Sequence, residues 1–232
     1  MASKQIKCIK SVGKEILCKY CEGYLIKHGL SPSGGERYKC KACSKTQMKV
    51  YKNKACAGII DQEIVDHLKE GCGIRSISRL LYISISTVSK RILKISKTIK
   101  PPHIFLGKEY EMDEIKTFVQ RKTKHIWVAY AIQKDSKQVI AFVVGRRTKR
   151  TLNVVIETLI LSKAKTIFTD KLNIYKSLID QNIHSTNNRG TNYIERKHLT
   201  IRTHLKRLNR KTICFSRSTA MLAACLKIYF WY

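Results

Sequence analysis

Two groups of side chains in this 232-residue chain have the types and spacing to do chemistry. The first is Cys18-Lys-Tyr-Cys21 followed, after an interval of 18 residues, by Cys40-Lys-Ala-Cys43. Each C-x-x-C pair sets two thiolates on one tight turn, and two pairs supply the four sulfurs of a tetrahedral Zn²⁺ site. The stretch between them, GLSPSGGERYK, carries Pro32, Gly34 and Gly35, the turn chemistry of a ribbon hairpin. So small a segment has too little core to fold unaided, so bound metal would supply its stability. Cys8 and Cys56 have no partner at this spacing, and His28 fits neither pair.

The second group is acidic. Residues 101–232 hold nine Asp and Glu against 25 Lys and Arg. Asp113 lies midway along an expected strand, Asp170 ends a short one (TIFTD), and Glu195 stands in the first turn of an expected long helix. Ligands collect at the carboxyl ends of strands in open mixed sheets. Carboxylate oxygens suit Mg²⁺ or Mn²⁺, and two such ions roughly 4 Å apart serve phosphoryl transfer. Arg202, two turns beyond Glu195, could hold substrate phosphate. Glu111 shares the face of Asp113 and is a weaker alternative ligand. Glu114 points to the opposite face and reads as a surface residue. His184, His198 and His204 receive no role, His198 being structural on the packed face. Trp127, Tyr130 and Phe142 read as core, Cys214 and Cys225 as buried thiols.

These groups must be positioned by the elements around them. After Pro101-Pro102, residues 110–119, 125–133 and 138–145 read as strands rich in β-branched and aromatic residues. The turn at 134–137 makes the last two a hairpin. A helix over 151–162, a buried strand over 166–170, a small helix over 173–180 and a short strand over 183–186 follow. Long helices at 192–209 and 216–230 complete an α/β pattern of a mixed sheet with helices on its faces. Ile194, His198, Ile201, Leu205 and Leu208 form the sheet-facing side of the first of these.

Residues 61–99 read as helices. Within IRSISRLLYISISTVSKRIL (74–93), Ile77, Leu80 and Leu81 line one helix, and Val88 and Ile92 face inward from a second, capped by Ser84 or Ser86. This is the pattern of a helix-turn-helix. Ser86, Thr87, Ser89 and Lys90 would then face the DNA major groove, with Arg91 and Lys94 on phosphate. The ordinary alternative is a helical hairpin with a solvated basic face. The net charge of +30 favours a polyanionic partner, and double-stranded DNA is the leading one. No run reaches membrane-spanning length and the start lacks a signal-peptide core, so a cytoplasmic, nucleoid-associated protein without membrane contact is expected. The division is 1–58 zinc ribbon, 59–100 helix-turn-helix, and 101–232 catalytic.

The segment NYIERKHLTIRTHLKRLNRKTICFSRS, the YEMDE segment, and Thr169-Asp170 followed by Tyr175 resemble the insertion-sequence-one family of DDE transposases. The preceding ribbon and helix-turn-helix fit in order. The resemblance implies an RNase H-like catalytic fold, Asp113, Asp170 and Glu195 as the metal-binding catalytic triad with Arg202 after it, and binding to the terminal inverted repeats of a mobile element. The activity implied is metal-dependent strand cleavage followed by strand transfer into target DNA, by an oligomer, because two ends must be joined. The rivals are a zinc-containing DNA-binding regulator, a decayed transposase, and a structure-specific nuclease.

Overall fold

The computed structural model describes residues 6–7, 11–12, 15–48, 50–51, 53–56, 58–187 and 190–232; Cys8 lies outside them. Two-residue strands β1 (Ile6–Lys7), β2 (Ser11–Val12) and β3 (Glu15–Ile16) precede an antiparallel sheet of β4 (Leu25–Leu30), β5 (Glu36–Cys40) and β6 (Thr46–Met48). β7 (Val50–Tyr51) pairs back to β1.

Three helices follow: α1 (Ile60–Lys69), α2 (Ile74–Leu81) and α3 (Ile85–Thr98). Ile64, Val65, Leu68, Ile77, Leu81, Val88 and Ile92 make their common core. Leu80, expected inside, is 52% exposed, because α2 is only two turns long and Ile77 and Leu81 already fill its inner side. The connection between α2 and α3 is tight. Tyr82 takes a left-handed conformation at φ 54° and Ile83 folds inward. Ser84, not Ser86, caps α3 by accepting the Thr87 amide at 3.1 Å.

The rest of the chain builds a five-stranded mixed sheet. β8 (Glu109–Phe118), β9 (His125–Gln133) and β10 (Val139–Gly145) form an antiparallel meander. After α4 (Lys149–Leu161), the chain returns to the far side of β8. There β11 (Thr166–Phe168) pairs parallel to β8 and β12 (His184–Ser185) parallel to β11, with α5 (Asn173–Lys176) between them. The order is β10-β9-β8-β11-β12. Alternation along β8 divides the two faces. Tyr110 and Met112 pack with Leu152, Val155 and Ile156 of α4. Ile115, with Tyr130 and Ile132 of β9, packs under α6 (Asn192–His204) and α7 (Thr219–Trp231).

Several expected boundaries shift. The helix expected to reach residue 209 ends at His204, where Leu205 turns extended and a single 3₁₀ turn, Lys206–Leu208, follows. This lets Leu205 and Leu208 both reach the core. The strand expected over 166–170 stops at Phe168, and the helix over 173–180 stops at Lys176. α7 is apolar on nearly every side, as a helix buried all round must be. Leu222 and Leu226 lie in the sheet core, whereas Ala224, Cys225 and Ile228 complete the core of α1–α3. The last helix of the sheet-bearing segment therefore also belongs to the helical unit. The Tyr232 hydroxyl donates to Gln62 on α1 at 2.7 Å. No helix among the described residues is long and apolar enough to cross a membrane.

Candidate functional site

The four predicted cysteines converge. One sulfur from each of Cys18, Cys21, Cys40 and Cys43 lies within 4.8 Å of all the others. The Cys18–Cys43 and Cys21–Cys40 sulfurs are 3.6 and 3.5 Å apart. Tetrahedral zinc with bonds of about 2.3 Å needs sulfurs about 3.8 Å apart, so the set fits that ion. The two turns repeat one design. The Glu22 amide donates to the Cys18 carbonyl at 2.8 Å and the Ser44 amide to the Cys40 carbonyl at 3.0 Å, and both Glu22 and Ser44 are left-handed. At Gly23 a Cβ would stand 3.0 Å from Ala42 Cβ and 3.2 Å from the Cys40 sulfur, so any side chain there would need these neighbours to give by a few tenths of an ångström. The Cys43 amide draws the Cys40 thiol down to about 7 despite burial. The Gly23 amide pulls the same way on Cys21, but the Cys40 and Cys43 sulfurs outweigh it and push that thiol up to about 12. Four crowded sulfurs cannot all ionise without a cation among them.

The acidic site is assembled at long range, and sheet register explains it. β11 runs parallel to β8 with Phe168 opposite Glu111. Continued two residues past the end of β11, this register brings Asp170 level with Asp113. Asp113, Glu114 and Asp170 each offer a carboxylate oxygen within 4.8 Å of the other two. The Leu172 amide donates to Asp170 at 3.1 Å and fixes that carboxylate. Burial raises the Asp113 pKa to about 7; the Glu114 amide opposes this, while the Glu114 and Asp170 charges add to it. A carboxyl penned among carboxylates in this way is suited to a divalent cation.

Glu114 departs from expectation. It is 7% exposed, not a surface residue, because the face of β8 opposite Asp113 is covered by α4 and α5. Arg147 grips it with two hydrogen bonds, Nε to Oε1 at 3.3 Å and Nη2 to Oε2 at 3.2 Å. The same guanidinium reaches Asp170 at 3.8 Å and lies 4.6 Å over the Trp127 ring. Trp127 is thus a half-buried platform for Arg147, whereas Tyr130 is fully buried as expected. Nothing in the sequence singles out Arg147 from the other basic residues.

Glu195 occupies the first turn of α6 as expected, but it does not join the carboxylate cluster. It is exposed, and its Oε1 accepts from the Thr191 hydroxyl at 3.3 Å. One turn later His198 Nδ1 lies 3.7 Å from Asp113. Burial and then Arg202 lower the His198 pKa to about 4, so this ring is neutral and the contact is not an ion pair. It packs edge-on against Tyr130, in line with a structural role. Arg202 is half-buried and donates to the Leu208 carbonyl at 3.4 Å. His184 bonds the Thr169 hydroxyl and His204 the Tyr229 hydroxyl. Cys225 is buried, but Cys214 is only half-buried.

On α3, Ser86, Lys90 and Lys94 are exposed, and Thr87 and Ser89 half-exposed. Arg91 is not free to seek phosphate. It holds both Asp61 oxygens at 3.1 Å and the Ala55 carbonyl at 2.8 Å, tying α3 to α1.

The chain matches the family model described as IS1 transposase over residues 109–230. It is 35% identical to the InsB protein of insertion element IS1 from Shigella flexneri over 111 residues, 48% of this chain and 85% of that protein. Against iso-IS1n InsB of Shigella dysenteriae the identity is 37% over 108 residues, covering 47% and 82%. Against IS1 2 InsB of Escherichia coli (strain K12) it is again 37% over 108 residues, covering 47% and 65%. A chain of the simian T-cell lymphotropic virus intasome in complex with PP2A regulatory subunit B56 gamma aligns over 70% of this chain and 66% of that one. Its 13% identity and TM-score of 0.37 are too low to bear on function.

Proposed function

The chain belongs to the IS1 transposase family, and from that premise we propose that it cuts the ends of an insertion sequence and joins them to target DNA. The observation that carries the reading is the register-built pair of Asp113 and Asp170. The strand order, with a three-strand meander extended by two parallel strands, supports an RNase H-like sheet.

Asp113 and Asp170 would hold divalent ions, Mg²⁺ or Mn²⁺, and Glu195 would complete the set. Glu114 lies nearer but has its charge matched by two bonds from Arg147. Among the described residues Glu195 has a single long bond from Thr191; it is exposed and stands one turn before the ring beside Asp113. Bound ions would activate the attacking hydroxyl and stabilise the leaving oxygen. Arg147 would keep Glu114 and Asp170 from repelling each other and Asp113 out of place. Water would attack the phosphodiester at the element end, forming one P–O bond as another breaks and freeing a 3′-hydroxyl. That hydroxyl would attack a target phosphodiester and expel its 3′-oxygen. Arg202 and the basic surface would position the DNA backbone.

Recognition of the terminal inverted repeats would fall to the amino-terminal units, which lie outside the family match. The four-cysteine ribbon would hold one structural Zn²⁺. In α2–α3, Ser86, Thr87, Ser89 and Lys90 would face the major groove and Lys94 the phosphates, with Arg91 bracing the helix. Joining two ends would call for an oligomer. The test is a strand-transfer assay with Mg²⁺ and a pre-cut end. Asp170→Asn should abolish joining while leaving end binding intact, and normal joining by that variant would refute the reading. Cutting without joining by the unaltered chain would favour a nuclease.

A further inference from the structure

Glu111 sits on β8 two residues before Asp113, on the same face, and is wholly buried. Its Oε2 accepts the amide of Ile194 at 2.8 Å, from a residue 83 positions along the chain. The neighbouring Tyr193 amide acts to lower the pKa of this carboxyl, against the rise that burial causes. Both amides belong to the first turn of α6, where four N–H groups have no helical partner. Thr191, which precedes α6, does not cap it, its hydroxyl being given to Glu195. The cap is therefore supplied by a strand, and an anion there also suits the helix dipole. The other oxygen, Oε1, is buried and has no hydrogen-bond partner among the described residues. A buried carboxylate with an unsatisfied oxygen is a poor choice for stability alone.

We infer that Glu111 is a positioning residue: it straps the first turn of α6 to β8 and so fixes where Glu195 stands relative to Asp113. This rests on the reading of Asp113, Asp170 and Glu195 as the ion-holding set. It also assigns Glu111 away from that set, since its one bonded oxygen is given to the Ile194 amide. Supporting residues of this kind carry about 10- to 100-fold in ion affinity or activity.

The experiment uses the full chain, Mn²⁺ titration by calorimetry, and amide hydrogen exchange at Tyr193 and Ile194. Glu111→Leu, which cannot accept a hydrogen bond, should speed exchange of both amides at least about tenfold and weaken Mn²⁺ binding about 10- to 100-fold. Glu111→Gln, which keeps an acceptor oxygen, should restore both to within about threefold. Faster exchange with unchanged Mn²⁺ affinity would reduce Glu111 to a structural cap and overturn the inference. Gln as damaging as Leu would make Glu111 a direct ligand and overturn it as well. If Glu111→Leu does not fold, Glu111→Asp serves, its reach being one methylene shorter. It should lose ion affinity where Gln does not, and equal behaviour of the two overturns the inference. Asp170→Asn belongs in the same titration. If that variant binds Mn²⁺ normally, the parent reading falls and takes this one with it. A normal loss there beside an unaffected Glu111→Leu puts the failure on Glu111 alone.

Discussion

The cysteine site and the carboxylate site are built in opposite ways. The four sulfurs come from two copies of one local turn, each closed by its own backbone bonds and a left-handed residue, within residues 18–44. The carboxylates come from β8 and from the loop after β11, and meet only because the sheet register sets Asp170 level with Asp113. A local site is specified by spacing and needs its ion to hold it together. A non-local site is specified by the fold, which can keep like charges together before any ion arrives. The rise of Asp113 to about 7 comes mainly from burial, and the Glu114 and Asp170 charges held beside it add to it.

The largest effect should come from the local site. Removing zinc by chelation, or Cys40→Ser, should unfold the ribbon, because structural zinc contributes on the order of 10 kcal/mol to such units. Metal analysis should fall from one zinc per chain to none, with the sheet domain still folded by circular dichroism. If the ribbon kept its structure without metal, the contrast between the two sites would fail. At the non-local site the opposite is expected. Asp170→Asn should lower joining more than about 1,000-fold, a barrier change of about 4 kcal/mol. It should also keep or raise the melting temperature, since it removes a repelling charge beside Asp113. A large fall in melting temperature would show that the acids hold the fold together.

Ile228→Ala sharpens the comparison in another way. Ile228 is fully buried on the side of α7 that completes the α1–α3 core, so truncation should cost about 2–5 kcal/mol. The sheet and the helical unit should then melt together in one calorimetric transition, because α7 serves both cores. Two separate transitions would mean that α7 does not couple them. The smallest effect is Ser84→Ala, which removes the cap on α3 and should cost about 1 kcal/mol by denaturant unfolding, with the site at Asp113 unchanged.

What the sequence disclosed follows the same division. The sulfurs, the strands of the sheet and the helix over Glu195 were legible because spacing and period are local signals. Two features were not. Glu114 reads as a surface residue because alternation tells which face a residue takes, not whether that face is covered, and α4 and α5 cover it. Arg147 and Arg91 became internal braces through partners 33 and 30 residues away, which no local pattern encodes. The place of Glu111 on the Asp113 face suggests a ligand. Its bond to Ile194 depends on where α6 lands, and only the fold reveals that.

In the proposed site Glu195, and not the nearer Glu114, would join Asp113 and Asp170 around a divalent ion. Mn²⁺ titration of the full chain, compared with its Glu195→Gln and Glu114→Gln variants, tests it directly. The account predicts at least about tenfold weaker binding for Glu195→Gln and a smaller change for Glu114→Gln. Loss of binding with Glu114→Gln and none with Glu195→Gln would contradict it.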